Sequence, residues 1–339
     1  MRMIDCHAHA FPTWENLVSD HLPIAGDALE LAQGVSQSVK EQVFERIPLL
    51  NLAGQVGKKL SSSLLQFAAP NPIGPDKLDQ ARSKLPSQMA NVMEFCLSAG
   101  LGPRIMLQGT IDNLFDSMKG CNLTHTVVIG APPFANADWL IQQARQDDRI
   151  IPVCNVPNLP PESGEHAWLE AFEKLAVDGA KGFKIHPNMD GYHPHHLSYH
   201  AMFQVAQKHQ LFIILHTGCF HVPGYVKIEP ASPEKFTHFL TAYPDVRVCL
   251  AHMNREEPED AWELMGRFQN LYADTSWQTE PTIRRAINRV GDKKILLGSD
   301  WPLLDRHLQA SSLKELRNAC YDQAFEQIIS KNPTRFLGL

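Results

Sequence analysis

The chain has 339 residues, 44% of them hydrophobic, and a formal net charge of -6. That is enough apolar material for a sizeable core, which excludes global disorder, and too little basic charge for the positive face a nucleic-acid partner requires. No apolar run reaches the length that spans a bilayer, and the 7 cysteines, odd in number and without a CxxC pair, read as reduced thiols of a cytoplasmic protein.

The opening "MRMIDCHAHAFP" leads directly into a strand, so no signal peptide is expected. His7 and His9 alternate at its end, and alternate residues of a strand share a face. Two imidazoles emerging side by side suit a shared metal ion. Residues 12–109 then carry helical windows such as "DALELAQGV" and "SQMANVMEFCLSAG", interrupted by the Pro/Gly-rich "PNPIGPDK". They read as a helical insertion after the first strand: a lid, a subunit interface, or a packed subdomain with no role in chemistry.

A strand–helix rhythm follows from the helix near "TIDNLFDSMKG". Short apolar runs begin at His125, Arg149, Ala180, Leu211, Val246, Asn270 and Lys293. Between them, segments such as "ADWLIQQARQ" and "AWLEAFEKLAV" place apolar residues three and four apart, as on helices packed by one face. With the opening strand this makes eight strand–helix units, the number that closes a (β/α)8 TIM barrel. An open dinucleotide-binding sheet is disfavoured, because no GxGxxG follows an early strand. The barrel is assigned to residues 1–11 and 110–339.

Catalytic groups of such a barrel sit at the C-terminal ends of its strands. His7 and His9 end the first strand, Lys184 and His186 the fourth, His216 the fifth, His252 the sixth and Asp300 the eighth. Singly, each has an ordinary reading: a satisfied structural histidine, a solvated lysine, a helix N-cap in "SDWP". Together on one rim they point to a metal or acid/base site.

The segments "IDCHAHAFP", "GFKIHP", "ILHTG", "LAHM", "LYADTS", "ILLGSDWP" and "NPTRFLGL" resemble the signatures of the amidohydrolase superfamily. The likeness is to its amidohydrolase-related branch of metal-dependent hydrolases and decarboxylases. The resemblance implies that His7, His9 and Asp300 bind the more buried metal, and that His216 binds that ion or a second one. His252 would complete a second site or act as acid/base. Lys184 matches the place of a carbamylated, metal-bridging lysine, or stays cationic and holds a substrate carboxylate.

Histidine nitrogens with a carboxylate suit Zn²⁺, one ion or two, though Mn²⁺ or Fe²⁺ also accept such a set. A water activated by the metal, with Asp300 as proton shuttle, would hydrolyse a small amide, lactone or ester. The alternative is a one-metal, non-oxidative decarboxylase of a small carboxylic acid, for example aromatic or enolic, with Lys184, Arg255 or an arginine of the insertion holding the carboxylate. A metal-free barrel that merely binds a ligand is the third reading.

His186, His221, Arg255 and Trp301 are the substrate-contact candidates. The histidine-rich "NMDGYHPHH" reads as a solvent-facing loop. A small molecule is the expected partner, with neither nucleic acid nor membrane, and the homodimer common among similar proteins is the expectation by analogy.

Overall fold

Among the described residues, each strand is followed by helix before the next strand begins. The computed structural model describes residues 2–13, 109–132, 134–218, 231–303 and 307–339. The units are β1 (Ile4–His9) with α1 (Ile111–Gly120), β2 (His125–Ile129) with α2 (Ala137–Gln146), and β3 (Ile150–Asn155) with α3 (Glu165–Asp178). Next come β4 (Gly182–Ile185) with α4 (Leu197–Lys208), β5 (Phe212–His216) with α5 (Thr237–Ala242), and β6 (Val248–Ala251) with α6 (Pro258–Arg267). The last are β7 (Leu271–Asp274) with α7 (Glu280–Val290) and β8 (Ile295–Leu296) with α8 (Leu308–Ala319). Two short helices, α9 (Asp322–Glu326) and α10 (Asn332–Leu337), end the chain.

All seven consecutive strand pairs are parallel, in the order β1 to β8. The circle closes through backbone bonds from β1 to the segment after β8. Cys6 N donates to Leu297 O at 2.8 Å, Ser299 N to His7 O at 3.1 Å and His9 N to Trp301 O at 2.6 Å. The expected TIM barrel is therefore the observed fold. The insertion expected at 12–109 falls almost wholly outside the described residues.

Two apolar layers hold the barrel. Its interior is filled by alternate strand residues, among them Ile4, Cys6, Val127, Val153, Phe212, Ile214, Cys249 and Leu296. At the N-terminal end Phe336 of α10 stacks against Phe212 and Tyr272, with centroids 4.9 and 5.1 Å away, and stoppers the cylinder. The outer layer buries the helices' inner faces, such as Leu114 and Met118 of α1 or Trp168 and Phe172 of α3. Helix starts follow local chemistry: Asn136 caps α2 by accepting from Trp139 N at 3.0 Å. Among the described residues no helix is long and apolar enough to cross a membrane.

The C-terminal rim departs from regular strand geometry in three places. In β1, the step from Asp5 to Ala8 is matched by the shorter step from Thr126 to Val128 in β2, so β1 carries a bulge. Bulges re-aim side chains. Here Ile4 and Cys6 fill the interior, Ala8 and Ala10 face the helices, and His7 and His9 turn into the mouth. After β6, His252, Met253 and Asn254 all take left-handed backbone angles, with φ of 60°, 47° and 51°. Asp300 does the same at φ 60°. Such conformations are costly for residues with a Cβ and cluster where surrounding structure imposes them.

Candidate metal centre

The bulge brings His7 and His9 together with Asp300. His7 Nε2 lies 3.3 Å from Asp300 Oδ1, and His9 Nε2 lies 3.2 Å from the same oxygen. Each histidine is fixed from behind. His7 Nδ1 donates to Asp274 Oδ2 at 2.8 Å and His9 Nδ1 donates to the Ile129 carbonyl at 3.0 Å. A carboxylate and a carbonyl only accept, so in each ring the Nδ1 proton is committed and Nε2 faces Asp300. This pattern of back-bonded imidazoles is the usual support of a metal ligand.

Asp300 is a carboxylate here. Burial works to raise its pKa, but His7, His9 and His252 more than offset this and hold it well below the ordinary range. Burial lowers the His9 pKa, against the pull of Asp300, so its imidazole is neutral near pH 7. A nitrogen lone pair then points at an anionic oxygen across 3.2 Å, which is repulsive unless a positive charge lies between them. Ligand atoms held at ~2.0–2.2 Å by a single ion stand roughly 3–3.4 Å apart, which these separations match. The three residues fit a divalent cation.

Asp274, at the end of β7, organises a second histidine as well. Its Oδ1 accepts from His252 N at 3.1 Å and from the Ser276 hydroxyl. Because Ser276 spends its proton on Asp274, its oxygen accepts from His252 Nδ1 at 2.7 Å. His252 therefore presents Nε2 with a lone pair. Burial would raise the Asp274 pKa, yet the His7 imidazole and its hydrogen bond, with His252 and Ser276, bring it down to about 2. His252 is pushed down to about 3, first by burial and then by His7, against the attraction of Asp300 and Asp274.

A line of rings leads away from the triad. His7 and His252 have centroids 4.9 Å apart, His252 and His216 5.0 Å, and His216 stacks on His186 at 3.9 Å. Burial, then repulsion from Lys184 and His252 on His186 and from His186 and His252 on His216, holds both well below the ordinary imidazole pKa. Lys184, 3% exposed, sits in the same electrostatic field; burial lowers its pKa, and Asp274 and Asp300 partly restore it.

Of the residues expected at the site, the tight cluster contains His7, His9 and Asp300. His216 and His252 approach as neighbouring rings rather than as members of that cluster. Arg255 lies farther out, its guanidinium 5.7 Å from the Trp277 ring, while Trp277 Nε1 donates to Asp300 Oδ2 at 2.6 Å. Trp301, a substrate-contact candidate, is 1% exposed and packs in the core between barrel and helices. Its neighbour Asp300, at φ 60°, faces the mouth, while the indole lies outside the cylinder. His221 lies outside the described residues.

Sequence reasoning passed over Asp274, Ser276, Trp277 and Asp5. Asp5 is fully buried; its Oδ1 accepts from His7 N at 3.1 Å and Ser299 N at 3.0 Å, and its Oδ2 from Gln309 Nε2 at 3.0 Å. It staples the bulge to the segment carrying Asp300. A carboxylate inside an apolar strand was the available signal for Asp5, and "YADTS" for Asp274.

The sequence profile of the Amidohydrolase family (Amidohydro_2) matches residues 112–339. The chain belongs to the amidohydrolase family. The matched span carries Asp274 and Asp300, and barrel closure adds the histidines of β1. Among curated proteins no sequence match is found. Several solved structures are similar in fold. An uncharacterised TIM-barrel protein from Bordetella bronchiseptica is 14% identical, with 100% of this chain and 99% of that chain covered and a TM-score of 0.62. The 5-carboxyvanillate decarboxylase from Sphingomonas paucimobilis is 10% identical, with coverages of 100% and 99% and a TM-score of 0.57. The 5-carboxyvanillate decarboxylase from Novosphingobium aromaticivorans, complexed with manganese and 4-hydroxy-3-methoxy-5-nitrobenzoic acid, is 15% identical, with coverages of 70% and 83% and a TM-score of 0.53. At these identities the likeness establishes the barrel. Family membership supports a divalent-metal enzyme, and the converging His7, His9 and Asp300 fit such an ion.

Proposed function

We propose that this amidohydrolase-family enzyme removes CO₂ from a small aromatic or enolic carboxylic acid without oxidation. The observation that carries this reading is Lys184. It is buried among His9, His186, His216 and His252, and Asp274 and Asp300 act on it through charge alone, without a hydrogen bond. A buried ammonium without a hydrogen-bonded counter-ion is costly, and a substrate carboxylate would supply one. The two decarboxylases of similar fold act on an aromatic acid, which supports the same substrate class.

His7, His9 and Asp300 would hold the ion, which supplies positive charge to bind and polarise a substrate oxygen. Lys184 receives the carboxylate and orients it. His252 Nε2 accepts a proton from the substrate hydroxyl, because its own Nδ1 proton is committed to Ser276. When the bond to the carboxylate breaks, its electron pair stays on carbon, and the proton on His252 takes the vacated place. Solvent then reprotonates the oxygen.

Hydrolysis of an amide, lactone or ester is the second reading. It is supported by the position of Asp300, a carboxylate beside His7 and His9 where a water at the metal would lie. One experiment separates the two. Manganese- or zinc-loaded protein is incubated with hydroxylated aromatic acids and with small lactones and amides, and CO₂ release is followed beside ring opening. CO₂ from the acids is expected; cleavage of lactones or amides with no CO₂ from any acid overturns the decarboxylase reading.

A further inference from the structure

We propose that His195, His200 and His238 form a second metal site, outside the barrel mouth, for a borderline divalent cation such as Zn²⁺, Ni²⁺ or Cu²⁺. His195 lies in the connection between β4 and α4, His200 in the second turn of α4, and His238 in α5. One ring nitrogen from each lies within 4.8 Å of the other two. These residues belong to three separate stretches of chain, brought together where α4 and the start of α5 meet.

The rings rest on an apolar floor. Phe203 and Phe239 stack at 4.4 Å, and over Phe239 lie His238 at 4.1 Å and His200 at 4.8 Å, centroid to centroid. The His195 ring covers His238 at 4.2 Å. His238 Nε2 is buried and has no hydrogen-bond partner among the described residues. Buried polar atoms are nearly always satisfied, so an unsatisfied nitrogen beside two further imidazoles marks a place for a ligand. A hydrogen bond between two rings would satisfy two of the three nitrogens and leave the third; a metal satisfies all three.

The donor set selects the metal. Three imidazoles and no carboxylate favour zinc, nickel or copper over the oxygen-seeking magnesium, calcium and manganese. Nitrogens bound to one tetrahedral ion at ~2.0–2.1 Å stand roughly 3.3 Å apart. Side-chain rotations that draw the nitrogens together from within 4.8 Å, by up to about 1.5 Å, would complete the site. Bound there, an ion would tie the connection that follows Lys184 and His186 to α5. It would thereby restrain one side of the rim.

The test uses untagged, full-length protein and Zn²⁺ alone, with bound zinc per chain measured by equilibrium dialysis. Wild type is expected to bind one ion more than His238→Ala, whereas His9→Ala retains this ion and loses one at the barrel mouth. Copper-loaded His9→Ala is expected to give an electron-spin spectrum split by imidazole nitrogens, absent from the His9→Ala/His238→Ala double variant. Should His238→Ala fold poorly, His195→Ala, altered at an exposed side chain, is expected to bind the ion at least tenfold more weakly. Zinc stoichiometry unchanged in His238→Ala and His200→Ala, or affinity unchanged in His195→Ala, overturns the site.

Discussion

A Cβ placed on Gly298 would stand 2.8 Å from the carboxyl carbon of Asp274. The absence of a side chain just past β8 is thus what lets the neighbouring strand β7 deliver its carboxylate to His7. Gly298→Ala should push Asp274 away from both histidines it holds. Overpacking of this kind costs about 1–3 kcal/mol, and loss of a ligand's back-bonding partner weakens metal binding by roughly 10–100-fold. Competition titration with a chelator, alongside circular dichroism to verify folding, measures both. Wild-type metal affinity in the alanine variant would mean that Asp274 does not organise the site.

Asp274 and Ser276 should separate by what they control. Asp274→Asn removes the carboxylate on which His7 Nδ1 relies, so metal affinity should fall by about 10–100-fold. Ser276→Ala takes away the acceptor of the His252 Nδ1 proton and leaves the His7 bond intact. It should therefore lower kcat about tenfold or more, as for a mispositioned acid/base group, with the metal content unchanged. Metal analysis and steady-state kinetics on both variants decide the matter.

Acid should unfold the metal-free protein earlier than its net charge suggests. The pKa of His252 in the folded protein is about 3, mainly because of burial, against 6.5 for the free side chain. The unfolded chain therefore takes up this proton first, and the contribution of neutral His252 is present above pH 6.5 and lost as pH falls toward 3. At pH 5 the loss from this residue amounts to about 2 kcal/mol. Urea titrations at several pH values should give a stability that declines from pH 7 to pH 5. In His252→Gln the slope should be smaller by up to one proton; an identical slope sinks the assignment.

Lys184→Met tests the carboxylate-binding role against a metal-bridging one. A substrate anchor predicts that KM for an active carboxylic acid rises about 10–100-fold, the value of one charge-assisted contact, with metal content unchanged. A bridging ligand predicts loss of bound metal in the same variant. Kinetics paired with metal analysis reads both outcomes.

Much of the barrel was legible along the chain. β-branched runs at β2 through β6 and one-sided apolar helices such as α3 follow from local periodicity, and each is observed. β8 is shorter than its apolar run: regular pairing stops at Leu296, because the segment from Leu297 onward bonds to bulged β1. His252 was expected at the end of β6 but lies one residue beyond it, in the left-handed turn. Trp301 packs between barrel and helices while the preceding Asp300 faces the mouth, a placement that strand alternation alone does not decide.

Local sequence determined the units: a two-residue alternation that sets His7 beside His9, and apolar spacings that make each strand and helix. Those are nearest-neighbour properties, set by the pleat and the helical turn. Tertiary structure alone decided that Asp300 Oδ1 lies against both imidazoles, that Asp274 from β7 fixes His7 and His252, and that three histidines of two helices and a connection gather on Phe239. A buried atom's partner is whatever distant chain the closed cylinder brings within 3 Å or so, and no periodicity of the local sequence encodes that.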